Sequence, residues 1–276
     1  MANLIKLALM TQMPNSLTSL QSDLKDLGIQ KGDGVFVHSS MSAVGPTVGG
    51  PRVVVEALLT SVGKTGLVGM PGFSTDAYFP DWADREGLTE QQILQIEAAI
   101  PGFDMQTSPA SSNGILAETF RTWPGTERSD HPSVSVCLNG ANAGDYLRDH
   151  SLAWATGEAS PFGRLRARTS MKILLIGVGW NRCTLFHCAE TLAEHRRTKI
   201  RRVKTGGRDG DWIECPDVAD DLGRLFPAVG AAFEATGAVT IGQLGQAECR
   251  VCDYVPLLDF ARDWINAANH ESGDLH

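Results

Sequence analysis

Residues 171–195, MKILLIGVGWNRCTLFHCAETLAEH, combine an apolar run with a helical pattern and decide the fold class. The run at 173–176 has the length and branched side chains that are typical of a buried strand. Glycines at 177 and 179 end this strand, and either Asn181 or Thr184 is suited to cap the helix that follows. The order of strand, glycine turn and helix predicts an α/β fold with ligands beyond the carboxyl end of the strand.

The helix of this stretch carries a candidate proton-transfer group. Thr184 and His187 are three residues apart and share a face, and Glu190 lies one turn further along. An imidazole titrates near neutrality, so a histidine at this edge of the sheet is suited to general-base chemistry. The alternative interpretation is a helix histidine with no role.

A second strand, loop and helix occur near the N-terminus. The short apolar run at 35–37 leads into a loop rich in serine and glycine at 38–50, and Pro51 then begins a helix. Backbone N–H groups and the helix dipole at such a junction favour an anion, so the loop is either a phosphate site or an ordinary connection. The loop matches neither GxxxxGK[ST] nor GxGxxG, so no nucleoside triphosphatase or dinucleotide enzyme is predicted.

Residues 72–112 form a long insertion that mixes acidic and aromatic residues, Asp76 and Tyr78 among them. Segments of this length between core elements are usually functional or mobile. Acidic side chains beside aromatic rings suit a positively charged, ring-shaped ligand. The alternative is a solvent-exposed loop that packs on its own aromatic side chains.

The remaining elements predict one α/β domain over residues 1–276, with a mixed central sheet flanked by helices. Beyond residue 195 the pattern becomes antiparallel, with a hairpin at 200–215 and two further short strands at 238–252. Helices are predicted at 16–27, 51–63, 89–99, 113–124, 220–237 and 255–268, among others. No internal repeat or clear linker divides the chain.

The composition excludes several classes of protein. The chain has 276 residues, 42% of them hydrophobic and 20% charged, as ordinary globular proteins do. A net charge of −8 argues against a nucleic-acid binder and is compatible with a cationic small molecule. Residues 1–10 lack the features of a signal peptide, and no apolar run is long enough to span a membrane, so we expect a cytoplasmic protein.

The six cysteines, at 137, 183, 188, 215, 249 and 252, are spaced irregularly and do not indicate a disulfide framework. Cys183, His187 and Cys188 are residue types that can bind zinc. However, the adjacent helical positions 187 and 188 point about 100° apart, and a structural zinc site requires four convergent ligands. We therefore expect no metal. A metal- or redox-responsive protein built on these residues with Cys249 and Cys252 is kept as the alternative from another class.

Five segments together resemble the aminoglycoside 3-N-acetyltransferase family. They are VFVHSSMSAVG with TVGGP at 35–51, GLVGMPGF at 66–73, GILAETFRTWPGTERSDHPSVSV at 114–136, EASPFGRL at 158–165, and LLIGVGWNRCTLFHCAE at 174–190. The likeness runs in order over residues 16–268, and it is specific only in combination. It implies an acetyl-CoA-dependent enzyme that acetylates the 3-amino group of the deoxystreptamine ring and so confers antibiotic resistance. Transfer to a different small-molecule amine is the nearest alternative.

The resemblance implies roles residue by residue. His187 matches the catalytic base, and Thr184, one turn before it, is suited to stabilise an oxyanion through its hydroxyl or the helix amides. The carboxylate partner of the histidine is expected after a tryptophan-containing strand, where Asp217 is the first choice and Glu214 the second. The coenzyme A segment corresponds to Ser39, Ser40, Met41, Ser42, Ala43 and Val44, with Gly49 and Gly50. The candidate drug-binding residues are Asp76, Tyr78, Asn113 and Glu190.

Overall fold

The fold is described from a computed structural model, in which residues 13–219 and 223–272 are described. The helices are α1 Leu17–Asp26, α2 Met41–Val44, α3 Pro51–Val62, α4 Glu90–Ala99, α5 Ile115–Arg121, α6 Ala143–Leu147, α7 Pro161–Leu165, α8 Leu185–Leu192, α9 Phe226–Glu234 and α10 Tyr254–Ser272. The strands are β1 Gly34–Ser39, β2 Leu67–Pro71, β3 Glu127–Arg128, β4 Val136–Gly140, β5 Met171–Ile176, β6 Thr198–Lys204, β7 Trp212–Val218, β8 Thr240–Leu244 and β9 Ala247–Asp253.

The large sheet has seven strands in the order β3-β4-β2-β1-β5-β9-β8. Strand β1 pairs in parallel with β2 on one side and with β5 on the other. The outer pairings, β2 with β4 and β5 with β9, are antiparallel. Because β1 and β5 run side by side from Gly34–Met171 to Ser39–Ile176, their carboxyl ends open at the same edge of the sheet. The predicted α/β class with a mixed, helix-flanked sheet is confirmed.

The apolar runs are explained by burial on both faces of the sheet. Alternate residues of β1 enter different cores: Phe36 packs with α7, α8 and α10 on one face, and Val35 and Val37 pack with α1 and α3 on the other. Strand β5 divides in the same way, with Ile173 and Leu174 on opposite faces. Continuous apolar sequence is therefore what these central strands require.

Strands β6 and β7 form a separate two-stranded ribbon, as the hairpin prediction requires. The insertion packs on this ribbon and also contacts the edge strand β3 of the large sheet, where Arg128 donates to the Ser108 carbonyl and lies 4.8 Å from the centroid of the Phe103 ring. Ala77, Phe103 and Val203 form a small buried cluster, and the Phe103 amide donates to the Lys204 carbonyl at 3.0 Å. Helix α4 begins at the predicted place because Thr89 and Gln92 form a reciprocal capping box.

Some predicted boundaries differ from the observed ones. The helix expected over 220–237 is observed as Phe226–Glu234, and positions 220–222 lie outside the described residues, as does the N-terminal segment 1–10. The final helix is longer than predicted and begins at Tyr254. Among the described residues, no helix has the length and apolarity that crossing a membrane requires.

Candidate active site

A cleft of about 690 Å³ lies beyond the carboxyl ends of β1 and β5. It is bounded by the loop after β1, the end of β2, the two ends of the insertion and the first turn of α8. The residues that line it include His38, Ser39, Ser40, Met41, Ser42, Phe73, Ser112, Asn113, Arg182, Thr184, His187 and Phe226. The position agrees with the predicted ligand site at this edge of the sheet.

The predicted coenzyme segment divides into residues that line the cleft and residues that support it. Positions 39–42 line the cleft, and the Ser40 and Ser42 hydroxyls lie 3.0 Å apart. Val44 is buried beneath them, and a Cβ placed on Gly177 would lie only 2.2 Å from the Ala43 Cβ. Glycine at 177, with φ of +62°, therefore lets the end of β5 approach α2 closely.

Gly49 and Gly50 are placed differently from positions 39–42. Both have positive φ, and Gly50 is the N-cap residue of α3. Neither belongs to the cleft lining. The serine-rich part of the loop, rather than its glycine-rich end, faces the cleft.

His187 lies on the first turn of α8 and is paired with a carboxylate on the same helix. Its Nδ1 lies 2.8 Å from Glu190 Oε2, and the Glu190 side chain is only 9% exposed. The ring of Phe226 lies edge-on to the imidazole, with 4.7 Å between ring centroids. Because Glu190 engages Nδ1, the nitrogen left for a ligand in the cleft is Nε2.

The structure gives His187 a different partner from the one that the resemblance implies. Asp217 is buried and its Oδ2 accepts from Arg201 Nε across the ribbon at 2.7 Å. Glu214 is exposed and lies 3.8 Å from Arg202. Glu190, which sequence reasoning placed among the drug-binding residues, takes the position beside the histidine because residues three apart on a helix are neighbours.

A threonine pair holds the turn that carries His187. Both Thr156 Oγ1 and Thr191 Oγ1 donate to the His187 carbonyl, at 2.9 and 2.8 Å, and the two hydroxyl oxygens lie 2.9 Å apart. Thr156 lies in the loop before α7, and sequence reasoning missed it. Nothing local in the sequence signals this contact, since the two residues are 31 positions apart.

Thr184 is the N-cap residue of α8, but its side chain does not cap the helix. Its backbone amide donates to His38 Nε2 at 3.3 Å. The amides of Phe186 and His187 donate to the carbonyls of Cys183 and Thr184. The first-turn amides are thus engaged, and of the two donors proposed for Thr184 the hydroxyl is the one that faces the cleft without a partner among the described residues.

His38 was missed as a functional candidate, although it ends the first buried strand. It is 5% exposed, and burial together with the neighbouring charge of His187 lowers its pKa to about 3. The imidazole is therefore neutral at physiological pH. Its location at the carboxyl end of β1, next to β5, was the available sequence signal.

The drug-binding candidates of the insertion lie in two places. Asn113 lines the cleft, where its Nδ2 donates to the Phe73 carbonyl at 2.8 Å, and so it joins the two ends of the insertion. Asp76 and Tyr78 are partly buried and are not among the lining residues. Tyr78 packs against the cluster of Ala77, Phe103 and Val203, and burial raises its pKa.

The electrostatic character of the cleft suits an anion. Within the part of the chain that the structure describes, Arg182 is the one lysine or arginine among the lining residues, and none of them is a carboxylate. The six cysteines are free thiols and buried. Over positions 13–219 and 223–272, no three His, Cys, Asp or Glu side chains converge as a metal ion requires.

Comparison with known proteins extends the resemblance over the whole fold. Residues 36–266 match the model of the aminoglycoside 3-N-acetyltransferase family. The chain is 32% identical over 269 residues to the SPbeta prophage-derived aminoglycoside N(3')-acetyltransferase-like protein YokD of Bacillus subtilis strain 168. This alignment covers 96% of the chain and 97% of that relative.

Two solved structures of similar fold hold ligands. AAC-IIIb in a binary complex with CoASH has a TM-score of 0.81 and 31% identity, over 93% of this chain and 98% of that one. AAC-VIa bound to sisomicin has a TM-score of 0.82 and 30% identity, over 93% of this chain and 99% of that one. The likeness therefore covers most of the fold.

Proposed function

Because this chain belongs to the aminoglycoside 3-N-acetyltransferase family, we propose that it transfers the acetyl group of acetyl-CoA to the 3-amino group of an aminoglycoside. The observation that carries the proposal is the His187–Glu190 pair on the wall of a cleft at the carboxyl edge of the sheet. Acetylation removes a positive charge from the drug, and this is the chemical basis of the resistance that the family name implies.

The cleft residues fit a coenzyme that carries phosphates on one end and a thioester on the other. Arg182 supplies a guanidinium, which pairs well with phosphate oxygens, and the serines at 39, 40 and 42 supply hydroxyl donors. A solved relative of the same fold binds CoASH. When bound, acetyl-CoA supplies the activated acyl group, and the protein's residues position it and manage the proton.

His187 is suited to act as the general base. An ammonium cannot attack a carbonyl carbon, so the amine must lose a proton to Nε2 as the C–N bond forms. Glu190 accepts from Nδ1, fixes the tautomer and stabilises the imidazolium. The proton then passes to the sulfur as the C–S bond breaks, and the imidazole returns to its neutral form. Direct attack of the amine needs no acyl-enzyme intermediate.

Thr184 is suited to stabilise the negative charge that develops on the carbonyl oxygen. Its side chain lines the cleft three residues before His187, on the same side of the helix. The His38 contact fixes its backbone. A hydroxyl held in place before the reaction stabilises an oxyanion more effectively than a mobile one.

Drug selection is assigned to the insertion at 72–112, within a single catalytic domain that spans the chain. Phe73, Ser112 and Asn113 bring both ends of the insertion to the cleft. Asp76 and Tyr78 occupy its ribbon-facing part, where Asp76 is a candidate for the drug's other ammonium groups. A cytoplasmic location is proposed with the function.

A thiol-release assay with acetyl-CoA and a panel of deoxystreptamine aminoglycosides tests the function. We expect drug-dependent release of CoA, with the acetyl group located on the 3-amino group by NMR of the product. Acetylation of a different amine of the drug would contradict the regiochemistry. No release with any drug would contradict the substrate class, and a panel of other small amines would then test the alternative.

A further inference from the structure

His38 is held in one orientation and one tautomer. Its Nε2 accepts a hydrogen bond from the Thr184 amide at 3.3 Å, and its ring packs against Phe36 with 5.3 Å between ring centroids. A neutral imidazole that accepts at Nε2 carries its hydrogen on Nδ1. His38 therefore presents Nδ1 as a donor.

Among residues 13–219 and 223–272 the Nδ1 donor has no hydrogen-bond partner, and it is not one of the fully buried unpaired atoms, although His38 as a whole is only 5% exposed. Another buried histidine of the chain, His150, has both nitrogens engaged, with Ser129 Oγ at 2.9 Å and the Ala155 carbonyl at 2.7 Å. Because His38 lines the cleft, the missing acceptor is expected on the molecule that binds there.

The position of His38 limits which part of the bound molecule it serves. It contacts the backbone of Thr184, and the charge of His187 is close enough to disfavour its protonation. The ring thus lies beside Thr184 and close to His187, the two residues proposed to act on the reacting group. Since it stays neutral, it does not compete with His187 for the proton of the amine.

We infer that His38 is a further catalytic residue whose Nδ1–H donates to the acetyl carbonyl oxygen as negative charge develops there. This inference rests on the proposed function. The C–N bond forms as the carbonyl π electrons move to oxygen, and the amine proton goes to His187 Nε2. The carbonyl re-forms as the C–S bond breaks, and the sulfur receives that proton. His38 keeps its hydrogen throughout and acts beside the Thr184 hydroxyl as the second donor.

Two amide substitutions separate this role from the anchoring of Thr184. In His38→Gln, the amide oxygen replaces Nε2 as the acceptor for the Thr184 amide, but no donor remains at the Nδ1 position. In His38→Asn, the amide nitrogen replaces the Nδ1 donor, but the side chain is too short to reach Thr184. We expect His38→Gln to lower kcat about 10²-fold with the KM for acetyl-CoA unchanged, and His38→Asn to retain more of kcat.

The opposite order, in which His38→Gln retains kcat and His38→Asn loses it, would show that His38 only anchors Thr184. A loss confined to the KM for acetyl-CoA would also overturn the inference, because it would place the contact in ground-state binding. Thermal unfolding and calorimetric CoA binding confirm that each variant is folded. His187→Ala measured in parallel keeps the two proposals distinct: an active wild type with an inactive His187→Ala sustains the proposed function whatever the His38 variants show.

Discussion

Glu190 Oε2 and His187 Nδ1 lie 2.8 Å apart on one helix, so the proposed base and its carboxylate move together. A partner on the ribbon would depend on how the ribbon and the insertion are placed. A partner three residues along α8 is fixed by the helix itself. The pair therefore keeps its geometry if the insertion shifts when a drug binds.

Replacement of Glu190 by glutamine is expected to lower kcat by about 10²–10⁴-fold with little change in either KM. The amide removes the charge that stabilises the imidazolium and can hold the wrong tautomer. Steady-state kinetics with acetyl-CoA and one aminoglycoside provide the measurement. Glu214→Gln, at an exposed position of the ribbon, is the matched control and should stay within about twofold of wild type. Equal losses in the two variants would argue against the helix pair.

Asp217→Ala tests the proposed Glu190 assignment from the other side. Asp217 is 2% exposed and pairs with Arg201, so its loss removes the carboxylate that faces a mostly buried guanidinium. We expect a loss of about 3 kcal/mol in the free energy of unfolding, measured by denaturant titration. Below its lowered Tm the variant should keep kcat within about threefold. A variant of normal stability with a large loss of kcat would restore Asp217 to the catalytic site.

Arg182→Gln should weaken coenzyme binding without slowing the chemistry. Removing one charge-assisted contact to a phosphate is expected to raise the KM for acetyl-CoA about tenfold, with kcat unchanged. The effect should shrink as salt is added, because the contact is exposed. Arg148, an exposed arginine outside the cleft, gives the control variant Arg148→Gln. An unchanged KM in Arg182→Gln would place the phosphates elsewhere.

The protein should lose stability in mild acid. Burial lowers the pKa of His38 to about 3, of His131 to about 4 and of His150 to about 3, from the ordinary value of 6.5. The unfolded chain therefore takes up protons first. The contribution of these histidines to the free energy of unfolding is fully present above pH 6.5. It is lost as the pH falls towards 4, by up to about 1.4 kcal/mol per pH unit for each histidine.

Denaturant titrations at several pH values between about 7.5 and 5 measure this slope. His150→Phe should flatten it, since one titrating group is removed. A stability that does not change over this interval would contradict the burial of neutral histidines.

Local signals in the sequence account for most of the elements. Pro51 and the Thr89 capping box show where two helices begin. Both signals are readable from the sequence because they involve only residues that are close together in the chain. The runs at 35–37 and 173–176 predict buried strands because both faces of the sheet are covered. The position of the active site followed from the same strands, since ligands bind beyond their carboxyl ends.

The contacts that complete the site are long-range, and sequence patterns do not encode them locally. The pairing of Asp217 with Arg201 depends on the register of the ribbon, and His38 meets Thr184 across 146 positions. Thr156 reaches the His187 carbonyl from a loop with no pattern of its own. Glu190 is the exception: its spacing from His187 already placed both on one face, and the structure pairs the two side chains.

The role of His187 as the base is tested most sharply by the pH dependence of kcat for wild type and His187→Ala with acetyl-CoA and a deoxystreptamine aminoglycoside. We expect the wild-type kcat to rise with pH, and the folded variant to lose at least about 10²-fold in kcat together with that rise. Normal turnover and an unchanged pH profile in a folded His187→Ala protein would contradict the assignment of the base.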